Sequence, residues 1–184
     1  MLQIGLNTRF LFLTQIGSLS IARGIGATRG GAILSSAREE AALDLFSEQA
    51  IWPAIMVAFR TAYEVLHQAG FSDEAILYEM YLSKEPAEVF ERIAEQGLFE
   101  QLSLHSHTSQ YGQLRALFAD DSSWLYEKFR RVLHDDILSD RFAREWSDVQ
   151  AKGAERLEQI RAEALASEMA RAEARVQGTK SDTP

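Results

Sequence analysis

The stretch Asp44-Leu-Phe-Ser-Glu-Gln-Ala-Ile-Trp52 lies in a helical pattern that runs from Ser35 to about Gln68 and decides the fold. Asp44 and Glu48 stand one helical turn apart, so both carboxylates share a helix face. Two acids held this way repel each other unless a cation lies between them, and Mg²⁺ prefers oxygen ligands of this kind. Spacing alone would favour a solvated acidic face. The apolar neighbours Leu45 and Phe46 shift the interpretation toward a carboxylate pair set into an apolar helix, and therefore toward a metal site.

The composition predicts one all-α domain. The chain has 184 residues, of which 46% are hydrophobic and only three are proline, and its abundant Ala, Glu, Leu and Arg favour helix. A formal net charge of −8 argues against nucleic acid as the main partner. The absence of cysteine excludes disulfides and thiolate zinc sites, and it fits a cytoplasmic location.

Residues 1–20 form an apolar lead-in of unclear role. The uncharged run between Arg9 and Arg23 has 13 residues, too few to span a bilayer. The basic start of a secretory signal is also missing, so we expect neither secretion nor a membrane anchor. The glycines of residues 24–31 do not match the dinucleotide-binding fingerprint, and we expect a tight turn there.

Helical periodicity and capping residues divide the rest of the chain. Ser36 is the expected N-cap of the first helix, Pro53 is expected to kink it, and Ser72 should cap a short helix that carries Glu79. Residues 98–118 are the least regular, and residues 177–184 are expected to form a disordered tail. The remaining helices are expected over residues 84–96, 122–136, 139–150 and 154–176, the last as a surface or partner-facing helix.

Two further sites could carry chemistry. Glu79 alone would be an ordinary surface glutamate. His105 and His107 flank Ser106, so this segment could bind a metal or activate a serine nucleophile. Since no third ligand stands nearby in the sequence, a polar loop that hydrogen-bonds a small molecule is the favoured interpretation.

Several motifs, in order, resemble the C-terminal, all-helical knotted domain of ketol-acid reductoisomerase. The glycine-rich turn from Ile21 to Gly31 is similar to that family's IG-x-x-R-x-G, and Asp44-Leu-Phe-Ser-Glu-Gln49 to its DLF-x-EQ. Leu77-Tyr-Glu79 corresponds to Y-F-E, Thr108-Ser-Gln-Tyr-Gly112 to T-A-E-Y-G, and Asp140-Arg-Phe-Ala-Arg-Glu-Trp146 to G-R-F-A-K-E-W. The resemblance covers residues 21–176.

The resemblance implies a fold, an activity and a site. The family converts acetohydroxy acids to dihydroxy acids in branched-chain amino acid biosynthesis, using two Mg²⁺ ions for an alkyl migration and NADPH for a reduction. By motif matching, Asp44 would bridge the metals, Glu48 and Glu79 would be further ligands, and Ser106 would contact substrate. The family's domain forms a homodimer whose active site draws on both subunits.

The departures from the family pattern leave alternatives open. Ser83 stands where the family has a second glutamate, and Glu85 could replace that glutamate only if the helix breaks near Pro86. The family also places an NADPH-binding Rossmann domain before this region, and residues 1–20 cannot supply one. We therefore expect a truncated or split enzyme, with NADPH bound only if a separate Rossmann-domain chain is present. A non-catalytic helical dimerisation or regulatory domain is the alternative, and a chain that performs only the isomerisation is a third.

Overall fold

The structure, a computed structural model, describes residues 2–5, 20 and 32–181, and nearly all of the described chain is helical. Two short strands, β1 (Leu2–Gly5) and β2 (Ala32–Ser35), form a parallel pair with Leu2 opposite Ala32. The prediction of an all-α fold is confirmed, with this strand pair as an addition. The glycine-rich turn and most of the lead-in lie outside the described residues.

Nine α-helices are found in the described part of the chain, together with shorter helical segments of other types. Three segments have π-helical hydrogen bonding: π1 (Ser47–Ile51), π2 (Tyr78–Leu82) and π3 (Val132–Ile137). A 3-10 helix spans Glu100–Leu104. The α-helices are α1 (Ala37–Phe46), α2 (Trp52–Gln68), α3 (Asp73–Leu77), α4 (Glu85–Gln96), α5 (His107–Ala119), α6 (Ser123–Arg131), α7 (Arg141–Ala151), α8 (Glu155–Leu165) and α9 (Glu168–Ser181).

The π segments widen the helix locally. The Ser83 N–H donates to the Tyr78 carbonyl at 3.2 Å, five residues back, instead of to the carbonyl four residues back. Such segments are rare and often mark functional sites. Here π1 contains Glu48 and π2 contains Glu79, so two of the three coincide with predicted ligands. Pro53 lies in the first turn of α2, two residues after π1 ends, and the helix continues through it from Ala37 to Gln68, so the expected kink stays a prediction.

Serine caps start several helices. The hydroxyl of Ser36 accepts from the Glu39 N–H at 3.1 Å, and that of Ser72 accepts from the Ala75 N–H at 3.3 Å, as predicted. The prediction that residues 98–118 are the least regular was wrong for residues 107–118, which belong to helix α5, where the Ser106 hydroxyl accepts from the Ser109 N–H at 3.2 Å. Residues 98–106 contain only turns, a 3-10 helix and short irregular stretches.

The predicted single helix over residues 154–176 is two helices. The chain turns at Ala166 and Ser167, and the Ser167 hydroxyl accepts from the Ala170 N–H at 3.2 Å. Helix α9 is a core element rather than a surface helix, since Ala172 and Val176 are buried. It continues to Ser181, past residue 177, where the tail was expected to begin.

The chain divides into two compact units. The first comprises residues 1–53 and 127–146. In it, α1 lies against β1 and π3, Ala50 and Ile137 are buried, and the Phe46 and Phe129 rings meet edge to face at 5.5 Å.

The second unit comprises residues 54–126 and 147–184. Its core is formed where α9 lies across α3 and π2. The fully or nearly fully buried members are Tyr63, Ile76, Leu77, Ala172 and Val176, and Met80, Tyr81 and Leu82 of π2 pack against them.

Candidate metal centre

Asp44 and Glu48 lie on one continuous helix of the first unit, as predicted. The Ser47 N–H donates to the Leu43 carbonyl, so the chain from Asp44 to Glu48 begins in α-helical geometry before π1 widens it. Both side chains are exposed. Neither has a hydrogen-bond or ion-pair partner among the described residues, which leaves all their oxygens available to a cation.

Glu79 and Glu85 belong to the second unit, and the helix between them breaks. Lys84 has φ of 69°, in the left-handed region, and α4 begins at the next residue. The break on which a ligand role for Glu85 depends is therefore present. Just before the new helix, the Ser83 hydroxyl accepts from the Glu85 N–H at 3.3 Å. Glu79 and Glu85 are both exposed.

The donor chemistry of these positions fits Mg²⁺. All four predicted ligands are carboxylates, the hard oxygen donors that this ion takes. Within the residues that the structure describes, no three acidic or histidine side chains come together as a metal-binding group.

Gln49, beside Glu48, has a buried side-chain amide nitrogen with no hydrogen-bond partner in the described part of the chain. A buried N–H without an acceptor is costly, by about 1–3 kcal/mol. The donor is suited to an acceptor that arrives with a ligand or a partner. Sequence reasoning quoted Gln49 within the DLF-x-EQ resemblance but gave it no role, and only its burial in π1 singles it out.

Among the described residues, the histidine pair joins no group of metal ligands. The His105 ring lies 3.2 Å from the Gln101 side-chain oxygen, and its carbonyl accepts from the Gln110 amide at 2.8 Å. His107 is the first residue of α5 and is exposed. Ser106 lies between them with an exposed side chain. Its hydroxyl oxygen accepts the capping bond, so its hydrogen remains free to donate to a substrate.

A different acid, Asp73, is enclosed by partners. Its carboxylate accepts from the Tyr63 hydroxyl at 2.9 Å and from Arg175 at 2.6 Å, and the His67 ring lies at 3.0 Å. Burial raises the pKa of Asp73, but the hydrogen bonds from Tyr63, Arg175 and His67 outweigh it and hold the pKa below its usual value. Sequence reasoning missed this cluster because Arg175 lies 102 residues away.

The helix that carries Asp44 and Glu48 exposes much apolar surface. Trp52 is 51% exposed and Met56 62% exposed, and Leu43 and Val57 are exposed as well. By length and composition the continuous helix Ala37–Gln68 could cross a membrane, with a mean hydropathy of 1.2 over 18 residues. It also carries Asp44, Glu48, Arg60 and Glu64, and each charge would cost about 3 kcal/mol at the centre of a bilayer.

Comparison with known proteins places the chain. Residues 38–181 match the family model described as the C-terminal domain of ketol-acid reductoisomerase. The chain belongs to the ketol-acid reductoisomerase family. A homologue of that name from Saccharolobus solfataricus is 40% identical over 159 residues, which cover 84% of this chain and 46% of the relative. A ketol-acid reductoisomerase (NADP(+)) of Sulfurisphaera tokodaii is 36% identical over 138 residues, 74% of this chain and 41% of the relative.

A solved structure shares the fold. It is an NADH-preferring ketol-acid reductoisomerase from an uncultured archaeon, with a TM-score of 0.71 and 21% identity over 88% of this chain and 48% of that one. The predicted fold, the helical C-terminal domain of this family, is thereby confirmed. The chain spans somewhat less than half the length of the ketol-acid reductoisomerases that it matches.

Proposed function

We propose that this chain is the metal- and substrate-binding part of a ketol-acid reductoisomerase, working on acetohydroxy acids in branched-chain amino acid biosynthesis. Two copies form the working unit, and the reduction step uses NADPH. The observation that carries the proposal is the pair Asp44 and Glu48, which lies within the family-matched residues, exposed and without partners among the described side chains, on an apolar helix that is itself uncovered.

Each residue has a task in this proposal. Asp44, Glu48 and Glu79 hold two Mg²⁺ ions, and Glu85 takes the place of the carboxylate that Ser83 lacks. Bound Mg²⁺ supplies Lewis-acid polarisation of the substrate's carbonyl and hydroxyl oxygens. Ser106 donates its hydroxyl hydrogen to a substrate oxygen and so fixes the orientation of the substrate. Gln49 donates its buried amide N–H to an acceptor brought by the ligand or the second copy.

Both an energetic and a chemical argument favour a dimer. Large exposed apolar patches on soluble proteins mark interaction sites, and symmetric pairs are the commonest assembly. Covering Trp52 and Met56 of one copy with the same helix of another would remove them from water. The carboxylates of one copy would then complete the ligand set of the other, as the family resemblance implies.

Mixing two defective variants tests this arrangement. Asp44→Ala and Glu79→Ala are each expected to lose tight Mn²⁺ binding, measured by electron paramagnetic resonance. If one site takes Asp44 from one copy and Glu79 from the other, co-refolding equal amounts restores about a quarter of the wild-type sites. No recovery from well-folded mixed dimers would contradict a shared site.

Catalytic competence needs a separate measurement. The full chain, Mg²⁺ and 2-acetolactate are incubated without NADPH, and the rearranged 2-keto acid is sought by NMR. We expect product with the wild type and none with Asp44→Ala.

The second candidate is a non-catalytic dimerisation or regulatory domain of the same family. The hydrogen bond that Ser83 accepts from the Glu85 N–H favours it, because a carboxylate of the family pattern has been exchanged for a residue that bonds to the backbone. In that case wild type and Asp44→Ala would form equal dimers and bind Mg²⁺ equally weakly. Sedimentation and calorimetry of both variants separate the two candidates.

A further inference from the structure

A hydrogen bond outside the proposed ligand set joins the Glu79 segment to the C-terminal helix. The Tyr81 hydroxyl of π2 donates to the Glu173 carboxylate of α9, across 92 residues of sequence. Tyr81 follows Glu79 by two residues in the same π segment. Its ring also lies 5.4 Å from the ring of Phe59, so both the ring and the hydroxyl are held.

The two sides of π2 have opposite environments. Met80, Tyr81 and Leu82 pack on the core that α9 helps to form, whereas Tyr78 and Glu79 are exposed. A π segment has one more residue in its turn than an α-helix, so reverting to α-helical bonding would rotate the residues around it. The anchoring of Tyr81 therefore fixes the direction in which Glu79 leaves the helix.

The bond is of a strong kind. The Tyr81 hydroxyl donates to a carboxylate, and a hydrogen bond to a charged acceptor is stronger than one between neutral groups.

We propose that Tyr81 and Glu173 are positioning residues that hold Glu79 in the orientation needed to bind the metal. The inference rests on the proposed function, since it takes Glu79 to be a ligand. Helix α9 carries none of the proposed ligands, but through Glu173 it would help to orient one of them.

The test removes the bond without removing the ring. Tyr81→Phe keeps the packing on Phe59 and deletes only the hydroxyl. We expect Mn²⁺ binding to weaken about 10-fold, the lower end of the range for residues that orient a ligand. Glu173→Ala should weaken it equally, the double variant no further, and Glu173→Gln, which keeps an acceptor oxygen, should remain within about 3-fold of the wild type.

Arg175→Gln is the matched control. It loosens the same helix by removing the ion pair with Asp73, yet leaves the Tyr81 hydroxyl bound to Glu173. We expect a lower thermal midpoint with unchanged Mn²⁺ affinity. An equal loss of affinity in Arg175→Gln and Tyr81→Phe would overturn the inference, because general docking of α9 would then explain both.

The outcomes separate this inference from the function beneath it. If neither Asp44→Ala nor Glu79→Gln changes the Mn²⁺ affinity relative to the wild type, the proposed function itself is contradicted. If Glu79→Gln lowers the Mn²⁺ affinity but Tyr81→Phe and Glu173→Ala do not, the proposed function stands and the positioning role is overturned. Should Tyr81→Phe fail to fold, the comparison of Glu173→Gln with Glu173→Ala decides alone.

Discussion

Asp73 and Asp44 are both aspartates on helices of an acidic chain, but their surroundings are opposite. Asp73 is 16% exposed and is bound by Tyr63, His67 and Arg175. Asp44 is exposed, and its carboxylate has no partner among the described residues. The sequence alone gives no reason to rank one above the other as a structural group.

The difference separates two uses of a carboxylate. An acid whose oxygens are all taken by donors of its own chain stabilises the fold and has nothing left for a ligand. An acid left open on an apolar helix costs little in the free monomer and keeps its full capacity to bind a cation. The partners of a carboxylate thus predict which of two substitutions damages stability and which damages binding.

The largest effect is expected at an open carboxylate. Glu48→Gln should lower Mg²⁺ affinity by at least about 100-fold, beyond the loss typical of residues that only support a ligand. The free energy of unfolding should hardly change. Calorimetric titration measures the Mg²⁺ affinity, and urea denaturation measures the free energy of unfolding.

Glu64→Gln is the control for that variant. Glu64 is another exposed acid of the same long helix, and it lies 3.8 Å from Arg60. Its loss should leave Mg²⁺ affinity unchanged. A similar weakening in both variants would mean that overall negative charge, rather than a defined ligand, attracts the ion.

Asp73→Ala should have the largest effect on stability. It leaves the hydroxyl of Tyr63, only 1% exposed, without an acceptor, so we expect a loss of about 2–3 kcal/mol in the free energy of unfolding. The pKa of Asp73 is lowered in the folded state, so its contribution is present above about pH 4 and is lost as the pH falls below that. Urea denaturation at pH 7 and pH 3 should therefore show a smaller difference between variant and wild type at pH 3. An undiminished difference would count against the ionised carboxylate as its source.

Tyr63→Phe tests the hydrogen bond between Tyr63 and Asp73 at alkaline pH. Burial, with the hydrogen bond to Asp73, raises the pKa of Tyr63 to about 12. The neutral phenol therefore contributes its full stability below about pH 10 and loses it as the pH rises from 10 to 12. Wild type should lose more stability than the variant between pH 8 and pH 11, as followed by chemical denaturation. Parallel losses would contradict this assignment.

The smallest expected effects come from a pair of serine caps. Ser36→Ala and Ser106→Ala should each cost about 1 kcal/mol of stability, because each removes one capping bond. Only Ser106→Ala should also weaken substrate binding, seen as a raised KM in the isomerisation assay. Equal KM values for Ser106→Ala and Ser36→Ala would mean that Ser106 acts only as a helix cap.

Local signals predicted much of the fold. The caps at Ser36 and Ser72 and the end of the helix predicted over residues 84–96 were correct because each is set by signals within a few residues. The family motifs added the fold type. The carboxylates at Asp44 and Glu48 were placed on one helix by their spacing alone.

Long-range contacts were not predictable. Tyr81 bonds to Glu173 and Asp73 to Arg175 across about a hundred residues, and no periodicity encodes such a pair. The break between α8 and α9 was missed because the chain turns at Ala166 and Ser167, where neither glycine nor proline marks the end of a helix. The π segments were also missed, since a one-residue widening leaves the apolar pattern almost unchanged.

The most direct test of the contrast between open and enclosed acids is one calorimetric Mg²⁺ titration of Asp44→Asn and Asp73→Asn beside the wild type. All three are measured at a temperature at which all are folded. We expect Asp44→Asn to lose binding and Asp73→Asn to bind like the wild type. Retained affinity in Asp44→Asn, or equal losses in both variants, would contradict the role of the open carboxylates as metal ligands.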